Sequence, residues 1–221
     1  AVRSYGRYYL EIMRLSHAEM ATAVGPLRWH GDEYLAASLA RGRGAVIMSG
    51  HVGNWDLAGM ALAQRFGGIT VYVEHLRPEA LYQFYRSTRG RHGCDVVDAG
   101  SGSRAALRTL TQNGLVGIVS DRSFGSVSER VSFGRGELDV PVGGIRLAQR
   151  TGAALHSIFC LRDGDGYDCF VQPEFVSDRS IPETFLQHAA RDFAARLEHI
   201  VRRYPGQWCL MHPTVEDRRT S

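Results

Sequence analysis

The 221-residue sequence predicts an α/β fold, a single domain with a mostly parallel central sheet flanked by helices. Three observations predict it. From about residue 45 onward, short apolar runs alternate with longer segments of helical period. Gly, Asn, Asp and Ser punctuate the junctions. No repeat, linker-like stretch or low-complexity segment interrupts the pattern, and the length suffices for one core over residues 1–221.

Residues 2–15, within an N-terminal segment of 1–20, read as an amphipathic helix. Val2, Tyr5, Tyr9, Ile12 and Met13 share one stripe, with Arg3, Arg7 and Arg14 largely off it. Such a stripe packs on the core or docks on a membrane surface. A second helix is expected from Asp32 to Arg41. Strands are then expected at Ala45–Met48, Ile69–Val73, Asp95–Val97, Leu115–Val119, Ala154–Leu161 and Tyr167–Phe175. Between and after them lie helices at Asn54–Phe66, Pro78–Arg89, Ser103–Asn113, Gly143–Arg150 and Pro182–Tyr204. The last carries Phe185, Ala189, Phe193, Leu197 and Val201 at helical spacing.

All 26 basic residues are arginine. Without lysine there is no Schiff-base chemistry, no pyridoxal-phosphate aldimine, no Walker A loop and no kinase-type lysine. A net charge of +3 is too small for a nucleic-acid footprint, so no nucleic-acid partner is expected. Arginine forks do suit phosphate and carboxylate groups. Cys94, Cys160, Cys169 and Cys209 lack C-x-x-C spacing and read as reduced core thiols. The histidines show no metal-site spacing, and Asp163–Asp168 fails as a calcium loop because Asp168 stands where glycine is needed, so no metal is expected. That segment reads instead as a tight turn between strands.

The sharpest local feature is Ser49-Gly50-His51-Val52-Gly53-Asn54-Trp55-Asp56, between a buried-looking strand and a helix start, where α/β folds place their chemistry. On one continuous helix His51 and Asp56 would point about 140° apart. A turn over Gly50–Gly53 would let Asp56 accept a hydrogen bond from one imidazole nitrogen and leave the other as a general base. The alternative is a structural His at a turn and a first-turn Asp facing the helix dipole. The sequence has no G-x-S-x-G elbow and no G-x-G-x-x-G after a strand.

His51-Val52-Gly53-Asn54-Trp55-Asp56 resembles the H-x4-D/E motif of the lipid A biosynthesis (lauroyl/myristoyl) acyltransferase family, and within it the actinobacterial phosphatidylinositol mannoside acyltransferases. Further segments match in order: Arg3-Ser4-Tyr5, Tyr8 and Leu10-Glu11; Val73-Glu74 with Leu76-Arg77-Pro78-Glu79; Arg89 and Gly93; Asp121-Arg122. Val131 to Gly134, Pro141 to Ala148, Thr151-Gly152-Ala153 and Pro205-Gly206-Gln207-Trp208 complete the series. Two positions depart from the pattern: Ser132 stands where an aromatic is usual, and Gly206 where an acidic residue is usual.

The resemblance implies a glycerolipid-acyltransferase-like fold and a peripheral enzyme at the cytoplasmic face of the cell membrane. Its partners would be an anionic membrane surface, acyl-CoA or acyl-carrier protein as donor, and a glycolipid acceptor such as a phosphatidylinositol mannoside. No cofactor is implied beyond the donor co-substrate. His51 and Asp56 would be catalytic, His51 as general base within a ternary complex. Glu74, Arg89, Asp121, Arg122 and Asn54 would contact substrate, a structural ion pair being the alternative for Glu74, Arg89 and Asp121. A thioesterase, a secondary-metabolite acyltransferase and a non-catalytic lipid- or CoA-binding protein are the alternatives on the same scaffold.

Overall fold

The computed structural model describes residues 2–123, 127–175, 181–209 and 215–217. Its centre is β2 (Ala45–Ser49), five consecutive buried residues whose side chains meet apolar layers on both faces. Such an uninterrupted run is what a strand covered on two sides requires. Around it stand β5 (Leu115–Val119), β3 (Ile69–Val73) and β4 (Cys94–Asp98) on one side. On the other stand β8 (Ala154–Asp163), β9 (Gly166–Val171) and β1 (Leu27–His30). The seven strands run in the order β1-β9-β8-β2-β5-β3-β4. Every adjacent pair is parallel except β8–β9, a hairpin closed at Asp163↔Gly166.

Alternation along the strands divides the core into two layers. Ala45, Ile47, Ile69, Leu115 and Ile158 face α4 (Trp55–Phe66), with α1 (Val2–Leu15), α2 (Met20–Val24), α3 (Asp32–Leu39) and α5 (Glu79–Arg91) on the same side. Val46, Met48, Val116, Leu155 and Phe159 face α6 (Arg104–Thr111), α7 (Gly143–Thr151) and α8 (Pro182–Arg203). Phe185, Ala189, Phe193 and Leu197 of α8 are all buried, as their spacing predicts. Among the described residues no helix is long and apolar enough to cross a membrane.

The arrangement of elements departs from the sequence expectations chiefly in four places. The buried face of α1 is Tyr8, Glu11, Ile12 and Leu15, so of the predicted stripe only Ile12 is buried. Val2 and Met13 of that stripe, with Leu10, are 74%, 55% and 60% exposed. Two short elements, α2 and β1, precede α3. A hairpin of β6 (Ser128–Phe133) and β7 (Gly136–Pro141), joined to β10 (Val215–Asp217), forms a second, three-stranded antiparallel sheet. Finally, β9 stops at Val171 rather than Phe175.

Candidate active site

Strands β2 and β5 are parallel neighbours in register, Ser49 opposite Val119. Residues two positions beyond their carboxyl ends therefore emerge side by side. Those residues are His51 and Asp121. Asp121 has no exposed surface, and its carboxylate accepts hydrogen bonds from His51 Nδ1 at 2.7 Å and from the His51 backbone N–H at 2.8 Å. Trp208 Nε1 donates to the same carboxylate at 3.2 Å. With Nδ1–H committed to Asp121, Nε2 is the ring nitrogen left for exchange of a proton.

The turn that carries His51 is pinned from both sides. Cys209 N–H donates to His51 C=O, Gly53 N–H to Gln207 C=O and Asn54 N–H to Cys160 C=O. Gly53 has φ +66°, and a Cβ there would lie 2.0 Å from the Cys160 carbonyl oxygen, so only glycine fits. At Gly50 a Cβ would lie 2.8 Å from Leu197 and 3.2 Å from the Asp121 carboxylate. A side chain at 50 would thus disturb the group that orients His51. Trp55 packs edge-on to the His51 ring, and Tyr8 stacks on Trp55. The Pro205–Trp208 segment supports both halves of the site, one through Gln207 and the other through Trp208.

Asp56 does not accept from His51, contrary to expectation. In the first turn of α4 its carboxylate receives Arg89 Nε at 2.6 Å and Nη2 at 3.2 Å, and the Tyr8 hydroxyl also donates to it. Arg89 and Asp56 are both almost fully buried, so a cation awaits this carboxylate where the imidazole does not. Burial works to discharge Arg89, but the charge and hydrogen bonds of Asp56 prevail and hold it above its ordinary pKa. Burial, reinforced by the Asp56 charge, pushes the Tyr8 hydroxyl well above its usual range. Tyr8 therefore stays a proton donor at neutral pH.

Other expected site residues separate into two groups. Glu74 and Arg122, like His51 and Arg89, line a cavity of about 640 Å³. Asn54 and Asp121 have no exposed surface and act from within. The Asn54 side chain accepts from Leu57 N–H, capping α4, and donates to Glu11 Oε2 at 3.0 Å. Glu11 is also bound by Tyr167 and Arg162, tying α1 to the start of α4 and to the β8–β9 hairpin. Tyr8, Glu11 and Trp55 are supports that sequence reasoning left without a role. Their signal was present, since a carboxylate in a helix turn beside Ile12 needs buried partners.

The cavity is polar at its mouth and apolar below. Of the lining residues, Tyr9 and Glu74 are exposed and Tyr5 and Arg122 half-buried, whereas Ile47, Ile69 and Leu62 are buried. Chemically, this is an imidazole with a buried carboxylate behind it, opening on an apolar chamber of a size that holds a small molecule or a chain. Thiol chemistry has no support here. Burial pushes the Cys94 thiol up to about 12 and raises Cys209 and Cys160 as well.

The model of the bacterial lipid A biosynthesis acyltransferase family matches residues 1–215. A phosphatidylinositol mannoside acyltransferase of Mycobacterium tuberculosis (strain ATCC 25618 / H37Rv) is 33% identical over 220 residues, covering 96% of this chain and 68% of that protein. The protein of the same description from Mycolicibacterium smegmatis (strain ATCC 700084 / mc(2)155) is 31% identical over 217 residues, covering 96% of this chain and 70% of its own.

Proposed function

The chain belongs to the bacterial lipid A biosynthesis acyltransferase family and is an acyltransferase, and on that premise we propose that it moves a fatty acyl group from a thioester donor to a hydroxyl of a glycolipid, with His51 as general base. One observation carries the reading. His51, held by Asp121, lines a cavity whose interior is apolar and whose mouth carries Glu74 and Arg122. His51 Nε2 takes the acceptor proton, Asp121 stabilises the imidazolium, and the alkoxide attacks the thioester carbonyl directly. The proton then passes from His51 to the departing thiolate, so the base is restored in one cycle. Arg122, which lines the same cavity, is assigned the developing oxyanion or a phosphate of either substrate.

Acyl-CoA and acyl-carrier protein both supply the thioester, and a phosphatidylinositol mannoside is the acceptor that the relatives suggest. The acceptor is a membrane lipid, and α1 supports docking at the cytoplasmic face of the membrane. Val2, Leu10 and Met13 are exposed beside Arg3, Arg7 and Arg14, while Tyr5 and Tyr9 of the same helix line the cavity.

In a test with acyl-CoA and anionic vesicles, free CoA should appear rapidly only when the vesicles contain phosphatidylinositol mannoside, together with its acylated product. The rate should fall as salt screens the arginines. CoA release of equal rate without acceptor would make the protein a thioesterase, and no release under any condition would remove the enzymatic reading.

A further inference from the structure

Gly59 lies in the interior of α4, where glycine weakens a helix relative to alanine. Nothing in the backbone or the packing demands it. Its φ is not among the positive values, in contrast to Gly53. A Cβ built on Gly59 would find Val71 Cγ1 at 3.8 Å and Cys94 Sγ at 4.0 Å, both ordinary contact distances. Such a site normally holds alanine or larger.

What the glycine does provide is space. From Asp56 to Ala63 every residue of α4 is buried except Gly59, although the helix packs against the sheet along this stretch. The surface that Gly59 keeps belongs to the cavity wall, which it forms with Ala58 and Leu62 of α4 and with Ile69, Val71 and Cys94 across from them. Ala58, Leu62, Ile69 and Cys94 are themselves buried, so Gly59 lies in the inner part of the cavity, away from exposed Glu74 at the mouth. Gly117 of β5 also lines this part. There a Cβ would come within 3.1 Å of Ile69 and 3.2 Å of Val71, so the strand side is already closely packed. Any adjustment of depth must come from the helix side.

We propose that Gly59 determines the acyl-chain length that the cavity accepts, leaving open the inner segment that the distal methylenes of a long saturated chain occupy. The inference rests on the cavity being the acyl site. A methyl group at 59 takes the place of about one chain methylene, and a leucine side chain the place of several.

The test measures binding of octanoyl-, dodecanoyl- and hexadecanoyl-CoA to the full chain without acceptor, alongside thermal midpoints, for the parent, Gly59→Ala and Gly59→Leu. Gly59→Ala should raise the midpoint by about 2–3 °C through helix propensity. It should also lower the ratio of hexadecanoyl to octanoyl affinity about fourfold, the effect of one methylene left unburied. Gly59→Leu should lower that ratio on the order of fiftyfold and move the optimum to a shorter chain. A parent that prefers hexadecanoyl-CoA, with variants that stay folded and keep the parent's ratio, would overturn the role of Gly59 and leave the acyl site standing. A parent whose affinity is independent of chain length would overturn the acyl site itself.

Discussion

Replacing His51 with Ala is expected to lower acyl transfer by about 10²–10⁴-fold while leaving the thermal midpoint close to the parent's. The ring is a quarter exposed on the cavity, and its one described hydrogen bond is to Asp121. The pinned backbone does not depend on the imidazole, because its bonds to Asp121, Cys209 and Gln207 run through main-chain atoms at residues 51 and 53. On the proposed mechanism the loss should appear in kcat, since a general base acts on the proton in the transition state. Transfer by the folded variant at the parent's rate would remove His51 from the mechanism.

Asp121 and Asp56 are expected to fail in opposite ways, although both are buried carboxylates close in space to the same turn. Asp121→Asn keeps the shape of the group but cannot stabilise an imidazolium and presents the wrong tautomeric partner. Its kcat should fall by about 10³–10⁴-fold with little change in stability. Asp56→Asn instead leaves the Arg89 guanidinium buried without a counter-charge. Removing one partner of such a pair costs about 3–5 kcal/mol, which in a chain of this length lowers the midpoint by about 10 °C. Kinetics at low temperature, where the variant is still folded, should then recover much of the parent's turnover. The reverse pattern, a stable but inert Asp56→Asn beside an active Asp121→Asn, would return Asp56 to the role that its spacing from His51 first suggested.

That first assignment shows what a sequence does and does not carry. The run Ala45–Met48, the glycines of the turn and the capping Asn54 each leave a local signature, and they place His51 correctly at the junction of strand and helix. The partner of His51 depends on which strand lies next to β2, and strand order is written in no local pattern. Asp121 follows Leu115–Val119 by the same two residues that separate His51 from Ser49. Once the register of β2 and β5 is known, their pairing follows directly.

The inward face of α1 is hidden in the sequence for a related reason. Tyr8 and Glu11 look like surface residues until their partners Asp56, Asn54 and Tyr167 arrive from more distant segments. The sequence of β7 does carry a period-two pattern. Leu138 and Val140 point inward, while Glu137 and Asp139 are only partly covered.

The central claim is direct transfer within a ternary complex, with no acyl group resting on the protein. It is tested most directly by incubating the enzyme with a radiolabelled acyl-CoA alone, denaturing it, and measuring label on the polypeptide before and after a chase with phosphatidylinositol mannoside. The account predicts an unlabelled protein and label in the lipid only when donor and acceptor are present together. Stoichiometric label on a Ser or Cys that moves to the acceptor during the chase would contradict it.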